Sequence, residues 1–311
     1  MYLRMPRRLH LELTDNCNAK CPMCKRTDPN GLDENPRYVR GNELTIDNVK
    51  QWFAGTNFDN VNHCGNFGDP VIAKDVYEIV QFFATRNTTQ MVHTNGSLRN
   101  TSWWERFAQI PNVTVMFGID GIDQQSHEMY RRNTDLQKIL DNAKAYNDAG
   151  GISIWQMIVF DHNKDQVDQA RLMSKQLGFK SFEVLHTRRF YKNVQFDYTF
   201  KGQQYQLRKP DTSPFEPIQD LTKYDIQCKA KKSEEVYVSA DGQVWPCCYI
   251  TETHTMQRSA EGNSLHHQSL QSIIESSYFD NLDASFSTSP MRMCITTCGI
   301  GRSNKRVRLS N

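Results

Sequence analysis

Several features that would each point to a class of protein are missing from this 311-residue sequence. No apolar run approaches the roughly 20 residues of a bilayer-crossing helix, so no membrane span is predicted. Charge of one sign is also missing: 37 Lys and Arg nearly cancel 35 Asp and Glu, for a net of +2. That balance gives no field arguing for nucleic acid or an anionic membrane as partner. There is no internal repeat and no low-complexity tract. The opening MYLRMPRRLHLEL has charge but no apolar stretch before a small-residue cleavage site. It therefore does not read as a secretion signal, and the expected location is cytoplasmic. With 38% hydrophobic and 23% charged residues, disorder is excluded too. The length suffices for one large domain and a smaller one.

Cysteine, by contrast, is plentiful, with nine residues. In a reducing compartment clustered thiols bind metal or do redox chemistry more often than they form disulfides. Three of them, Cys17, Cys21 and Cys24, fall within TDNCNAKCPMC at 14–24. A structural zinc site wants four ligands and a disulfide framework wants pairs. A four-iron cube has four corners, usually each held by a thiolate. Three thiolates from one loop would leave one iron open to a small molecule. A zinc site completed by a distant ligand, such as Cys64 or a histidine, is the alternative.

Periodicity predicts strands at 9–14, 61–64, 89–94, 113–120, 152–160 and 181–186, alternating with helices at 46–55, 74–87, 101–110, 136–150 and 164–178. Thr45 is placed to cap the first helix, and Thr101 or Ser102 the third. Six strands alternating with helices imply a parallel sheet with right-handed crossovers, as an open doubly wound sheet or a partial barrel. Ligands bind at the carboxyl ends of the strands in either case. From about 190 to 227 the pattern dissolves into an aromatic, polar connector. EEVYVSADGQVWPCC at 234–248 reads as a hairpin around the two-residue turn Asp241-Gly242, and short helices follow near 268–276 and 278–285.

The CxxxCxxC spacing directly after a first parallel strand resembles the signature of the radical S-adenosylmethionine (radical SAM) superfamily. The resemblance implies that the open iron is chelated by the amino and carboxylate groups of SAM. One electron from the reduced cluster then cleaves a sulfur–carbon bond, and the 5′-deoxyadenosyl radical abstracts hydrogen from a substrate. Cys17, Cys21 and Cys24 would hold the cluster. Met23 stands where the family usually has an aromatic residue and would pack on adenine through its sulfur. GNFGDP at 65–70 resembles the glycine-rich segment that receives the SAM ammonium. Asp69 replaces the usual glutamate there, which shifts more of the contact to backbone acceptors at Phe67 and Gly68. HTNGS at 93–97 occupies a position that lines the SAM site, implicating Thr94 and Asn95. GIDG-(x)5-H-x-x-Y-R from Gly118 to Arg131 is similar to the family's serine-x-aspartate-glycine segment, with Gly118 for the serine, Asp120 retained and Arg131 able to clamp a carboxylate. VFDHN at 159–163 matches the adenine-contacting region through Val159 and Asn163. HTRR at 186–189 gives His186, Arg188 and Arg189 as candidate substrate contacts. Taken alone, these are ordinary features: turns at GDP and NG, a solvated arginine, a core strand and a helix cap at Asn163.

The distal cysteines are arranged as one before the hairpin, two after it and two beyond a short helical stretch. This resembles the twitch domain, a shortened relative of the SPASM domain that carries one auxiliary 4Fe-4S cluster. The resemblance implies Cys228, Cys247, Cys294 and Cys298 as ligands. Five cysteines for four corners leave the choice between Cys247 and Cys248 open, and a zinc ribbon is the alternative. Four thiolates leave no iron for substrate, so the implied role is to accept an electron from a substrate radical, giving net oxidation. A three-ligand auxiliary cluster of the molybdopterin-precursor cyclase kind fits less well, since four ligands are available and that enzyme's glycine-glycine end is absent.

The expected architecture is α/β: a partial (β/α)6 TIM-like barrel at 1–205, a connector at 206–227, a small C-terminal β-hairpin/helix iron–sulfur (twitch) domain at 228–300, and a basic tail at 301–311. The expected cofactors are SAM and two 4Fe-4S clusters, one SAM-binding and one auxiliary. The expected function is that of a radical SAM oxidoreductase acting on a small molecule or a peptide, with flavodoxin or ferredoxin as reductant. Peptide maturation of the SPASM type is one alternative. A non-catalytic zinc-stabilised binding protein, touching nucleic acid through its tail, is the other.

Overall fold

The structure is a computed structural model that describes residues 5–190, 193–214, 224–254 and 261–301. Six strands, β1 (Arg8–Leu11), β2 (Asn60–His63), β3 (Thr89–Thr94), β4 (Val113–Gly118), β5 (Ile152–Val159) and β6 (Ser181–His186), stand side by side in chain order. Each is parallel to the next. Between them lie α1 (Ile46–Phe53), α2 (Val76–Ala84), α3 (Thr101–Phe107), α4 (Gln124–Glu128), α5 (Leu136–Asp148) and α6 (Val167–Gln176). A strand order that never reverses winds as a barrel wall; a doubly wound sheet would reverse at a switch point. The two edges, β6 and the C-terminal strand β11 (Val244–Trp245), are not paired with each other, so the barrel is partial.

Local chemistry explains the elements. Thr45 caps α1 in a capping box with Asn48. The cap of α3 is Asn100, whose side chain accepts from Trp103 N; neither Thr101 nor Ser102 takes that role. Asparagine competes with threonine as a cap, and here it sits one residue earlier with extended backbone. Period-two alternation sends Leu9, Leu11, Val61, Val92, Val115, Phe117, Trp155 and Met157 into the main core against the helices. His10 and Glu12 consequently face the opposite side of the sheet.

Two findings depart from the sequence reading. Residues expected to form a connector hold an antiparallel hairpin, β7 (Gln195–Phe200) and β8 (Gln203–Arg208), which turns at Lys201 and Gly202, both in the left-handed region. β8 straddles position 205, where the first domain was expected to end. The C-terminal hairpin is also no separate layer: β10 (Glu235–Val238) lies parallel to β1 and β11 antiparallel to β10, so both extend the main sheet. The loop between them runs from Ser239 to Gln243, longer than a two-residue turn, with Gly242 at φ +76°. β9 (Tyr224–Ile226), α7 (Lys229–Ser233), α8 (Cys248–His254), α9 (Leu270–Ile274), α10 (Ser277–Thr288), α11 (Arg292–Cys298) and β12 (Gly299–Gly301) complete the chain. Residues 215–223 of the expected connector and 302–311 of the basic tail lie outside the described residues. Among the described residues no helix is long and apolar enough to cross a membrane.

Candidate active site

The loop after β1 carries Cys17, Cys21 and Cys24. It is a sequence of tight turns: Cys24 N donates to Cys21 O at 3.0 Å, and Thr27 Oγ1 donates to Cys21 O at 2.7 Å and to Cys24 O at 2.9 Å. The buried Arg26 holds Ala19 O from inside the loop. Cys21 and Met23 belong to a second apolar cluster with Ala19, Leu32, Tyr130, Phe160, Phe190, Tyr198 and Leu207, against which Cys17 and Cys24 pack. The β7–β8 hairpin supplies Tyr198 and Leu207 to this cover. Arg132 anchors it by donating to Tyr198 Oη at 2.8 Å and lying 4.0 Å over the Tyr205 ring. Burial pushes the Cys21 thiol up to about 11 and Cys17 further still. The charges of Arg131 and Arg189 beside Cys21 and of Arg26 beside Cys17 offset burial only in part, so both are neutral thiols at pH 7.

The GNFGDP loop threads between the cysteine loop and the sheet. A Cβ on Gly68 would lie 1.7 Å from Thr14 O, and one on Gly65 would lie 2.3 Å from Gly68 O, so neither position has room for a side chain. Asp69 is buried and its carboxylate points back into the protein. It accepts from Val71 N at 3.0 Å, Thr94 Oγ1 at 2.9 Å, Asn95 N at 2.7 Å and Asn95 Nδ2 at 2.7 Å. Asn95 Nδ2 also lies 3.8 Å from Cys17 Sγ. The three motifs after β1, β2 and β3 thus form one hydrogen-bonded unit, in which Asp69 is occupied by Val71, Thr94 and Asn95, and Thr94 Oγ1 donates to Asp69 while accepting from Gly96 N.

The ends of β4 and β5 form a second unit. Asp120, fully buried, accepts from Arg131 Nε at 2.6 Å and from Ile158 N at 2.6 Å. Burial works against the Arg131 charge, but Asp120, Cys21 and Tyr130 beside it more than reverse that. Nη1 and Nη2 of Arg131 make no hydrogen bond among the described residues and lie where a Gly118 side chain would otherwise be, near the cysteine loop. Asn163 gives no capping hydrogen bond to the 3-10 turn that follows it. It clamps the strand ends, accepting from Phe160 N at 2.7 Å and donating to Asp120 O at 2.9 Å and Ile158 O at 3.0 Å. Val159 is buried at the end of β5. Arg189 donates to Tyr130 Oη at 2.5 Å and acts electrostatically on Cys21, so it faces the cysteine loop. His186 is half-buried with its Nδ1 unpartnered among the described residues, and the side chain of Arg188 lies outside the described part.

At the C-terminal end, antiparallel pairing of β9 with β12 brings Cys228 beside Cys298. Cys298 hydrogen-bonds Cys228, and the Cys247 thiol lies in the field of both Cys228 and Cys294. Cys294 and Cys298 are one helical turn apart on α11. Cys248 instead acts on Tyr237. Among the described residues no three His, Cys, Asp or Glu side chains are close enough to share a single metal ion. The sequence reading passed over Glu12, although its position on the polar face of LHLELT was visible. Its carboxylate accepts from Phe67 N, Gly68 N and Tyr237 Oη.

Comparison with known proteins adds a family. A model described as Radical SAM superfamily matches residues 11–172, and one described as Iron-sulfur cluster-binding domain matches 228–299. An AdoMet-dependent heme synthase of Methanosarcina barkeri is 23% identical over 186 residues, covering 58% of this chain and 50% of that protein. A GTP 3',8-cyclase of Pasteurella multocida is 30% identical over 140 residues, covering 43% and 38%. The chain thus spans half or less of these relatives' length. Among solved structures, Streptococcus suis SuiB bound to S-adenosylmethionine superposes with a TM-score of 0.63 at 13% identity, covering 88% of this chain and 66% of that one. Native anSMEcpe with bound AdoMet and the Kp18Cys peptide gives 0.55 at 12%, covering 88% and 82%. At these identities the likeness is one of fold.

Proposed function

Because the chain belongs to the radical SAM superfamily, we propose that it is an oxidoreductase: its substrate would lose a hydrogen atom and then a proton, and an auxiliary cluster would serve as acceptor of the remaining electron. Family membership brings a 4Fe-4S cluster and SAM, and the C-terminal match brings auxiliary iron–sulfur ligation. When bound, the cluster and SAM supply a 5′-deoxyadenosyl radical.

The residues present fit these groups. Cys17, Cys21 and Cys24 would hold the first cluster as three thiols on one loop, covered by an apolar cluster that keeps water away. The raised proton affinity of Cys17 and Cys21 gives way once a metal cation takes the proton's place. The close backbone approach at Gly65 and Gly68 leaves carbonyls, including that of Phe67, to receive the SAM ammonium. Asp69, Thr94 and Asn95 hold that loop against the cysteine loop. Arg131, turned by Asp120 and with Nη1 and Nη2 uncommitted, would grip the SAM carboxylate. Met23, with Val159 and Asn163 at the end of β5, would border adenine. Arg189 and His186 would face substrate on the β6 side.

The observation that carries the oxidative reading is the convergence of Cys228, Cys247, Cys294 and Cys298. Four thiolates would close the auxiliary cluster to substrate and leave it electron transfer. Residues 1–205, 206–227 and 228–300 would be the radical SAM core, its connector and the twitch domain, the last sharing the main sheet through β10. The substrate would be a small molecule or a peptide, and the reductant a flavodoxin or ferredoxin. The test is anaerobic reconstitution with iron and sulfide counting, then incubation with SAM, dithionite and pools of metabolites or peptides. Iron and sulfide for two cubes, 5′-deoxyadenosine, and a product lighter by two hydrogens are expected. Zinc without labile sulfide would overturn the cofactor assignment, and a product of unchanged hydrogen count would overturn the oxidation.

A further inference from the structure

Glu12 lies just past β1 and is 1% exposed. Its Oε1 accepts from Phe67 N at 2.7 Å and Gly68 N at 3.2 Å, and its Oε2 accepts from the Tyr237 phenol on β10. A Cβ on Gly65 would come within 2.9 Å of Oε1, so the carboxylate sits inside the turn of the GNFGDP loop. In a trans peptide the N–H and C=O point in opposite directions. Holding Gly68 N–H toward Glu12 therefore turns the Phe67 carbonyl the other way, and holding Phe67 N–H does the same for the Asn66 carbonyl. Tyr237 belongs to the segment matched as the iron–sulfur cluster-binding domain. The same loop touches that segment again, where Asn66 Nδ2 donates to Cys248 O at 2.8 Å and to Thr251 Oγ1 at 2.9 Å.

We propose that Glu12 is a positioning residue for SAM, aiming the Phe67 carbonyl at the SAM ammonium while Tyr237 ties its carboxylate to the iron–sulfur domain. This rests on the assignment of that carbonyl to SAM made above. The consequence is that affinity for SAM at one end of the chain depends on a hydroxyl supplied by the other. Burial raises the Glu12 carboxyl to about 7, against the opposing pull of its three donors. The titratable groups that act on it are Asp15 and Cys64 from the adjoining loops and Tyr237 from the C-terminal segment; Asp69 in turn acts on Cys64, Asp241 and Cys248 act on Tyr237, and His10 on β1 packs against Tyr237. His10 stacks edge-on against Tyr237 and is held neutral by burial, its proton affinity down at about 4.

The test is the dissociation constant of SAM for the reconstituted holoprotein, read from the change in the cluster's electron paramagnetic resonance, between pH 6 and 8.5. In the wild type the carboxylate form favours the positive charge of the SAM sulfonium and the polarised N–H groups of its amino nitrogen, so binding tightens as pH rises through about 7. Glu12→Gln keeps one oxygen for the two amides but cannot titrate, and that step in the profile is expected to vanish. Tyr237→Phe removes only a hydroxyl. It is expected to weaken binding about 10-fold at pH 7 and to move the step to higher pH, because a hydrogen bond favouring the carboxylate is gone. If both variants keep the wild-type constants and profile, Glu12 does not position SAM and the proposal is overturned. A wild-type signal that ignores SAM would instead overturn the assignment of the SAM site itself, and this proposal with it.

Discussion

Gly118 and Arg131 share one volume: a Cβ on Gly118 would lie 2.5 Å from Arg131 Nη2 and 3.0 Å from its Cζ. The family motif commonly has a serine at this place, and here the guanidinium fills the space a serine would take. Arg131 cannot simply swing away, because Asp120 grips its Nε at 2.6 Å. Gly118→Ala is therefore expected to tilt the guanidinium and weaken SAM binding by about 10-fold, the loss of one charge-assisted contact. The displaced atoms are the end of a side chain, so the fold is expected to survive, with a melting temperature within about 5 °C of wild type. Equilibrium titration with SAM beside a thermal melt separates the two effects. Unchanged affinity would show that Arg131 does not hold the SAM carboxylate.

The second prediction concerns Asp69, which joins the loops after β1, β2 and β3. Asp69→Asn keeps one oxygen but turns an NH2 toward Thr94 Oγ1 and the Asn95 donors. Losing two charge-assisted hydrogen bonds in a buried site is expected to cost about 2–4 kcal/mol of stability. Asn95, released from Asp69, would no longer be held near Cys17 Sγ. The first cluster should then be lost faster to a chelator than in the wild type. Urea unfolding and the rate of iron release check the two parts independently.

Buried histidines make the third prediction one about pH. Burial lowers His10, His63 and His93 to about 4 and His127 to about 3. His127 Nδ1 accepts from Asp120 N at 3.2 Å, which places its proton on Nε2 beside Thr134 Oγ1. In each case the folded value lies below the unfolded one of about 6.5, so the unfolded chain binds more protons in between. Stability from these groups is thus complete above about pH 6.5 and is lost as pH falls toward 4. Each imidazole contributes up to about 3 kcal/mol over that window. Anaerobic urea midpoints should fall steeply between pH 7 and 5. His127→Gln, which preserves an acceptor for Asp120 N, should flatten the slope. A slope unchanged by that substitution would mean His127 is not held neutral.

Much of this was legible in the sequence, for identifiable reasons. β2, β3 and β5 alternate cleanly because one face of each meets the helical core, and Thr45 and the CxxxCxxC loop carry their meaning within a few residues. What escaped depends on partners far away in the chain. FDYTF and QQYQL form a hairpin because Tyr198 and Leu207 cover a cysteine loop almost two hundred positions earlier, and nothing in their own periodicity distinguishes that from a connector. Asn100 outcompeted Thr101 and Ser102 as a cap by one position, which pattern reading does not resolve. Asp69 looked like a ligand-facing acid, yet its donors Thr94, the last residue of β3, and Asn95, just past it, turn the carboxylate inward. The joining of β10 to β1 needed the structure as well, since parallel pairing leaves no turn signal between its partners.

The last prediction separates the two sets of cysteines. Cys21 and Cys24 sit near Tyr130, with Arg131 and Arg189 beside Cys21 and Asn95 beside Cys17, whereas Cys228, Cys247, Cys294 and Cys298 gather between β9, α8 and α11. On the proposed division of labour, Cys21→Ala removes a ligand from the SAM-binding cluster and should abolish 5′-deoxyadenosine formation altogether. Cys298→Ala leaves the first cluster intact, so SAM cleavage should persist while oxidised product is lost, because the electron left on the substrate has nowhere to go. Cys248→Ala, by contrast, should retain both cleavage and product, since Cys248 neighbours Tyr237 and stands outside the group of four. Measuring 5′-deoxyadenosine and product in parallel, with iron and sulfide counted for each variant, makes the comparison complete. If Cys298→Ala stopped cleavage as fully as Cys21→Ala, the distal thiols would be required for the first step, and the assignment of the auxiliary cluster to electron acceptance alone would fail.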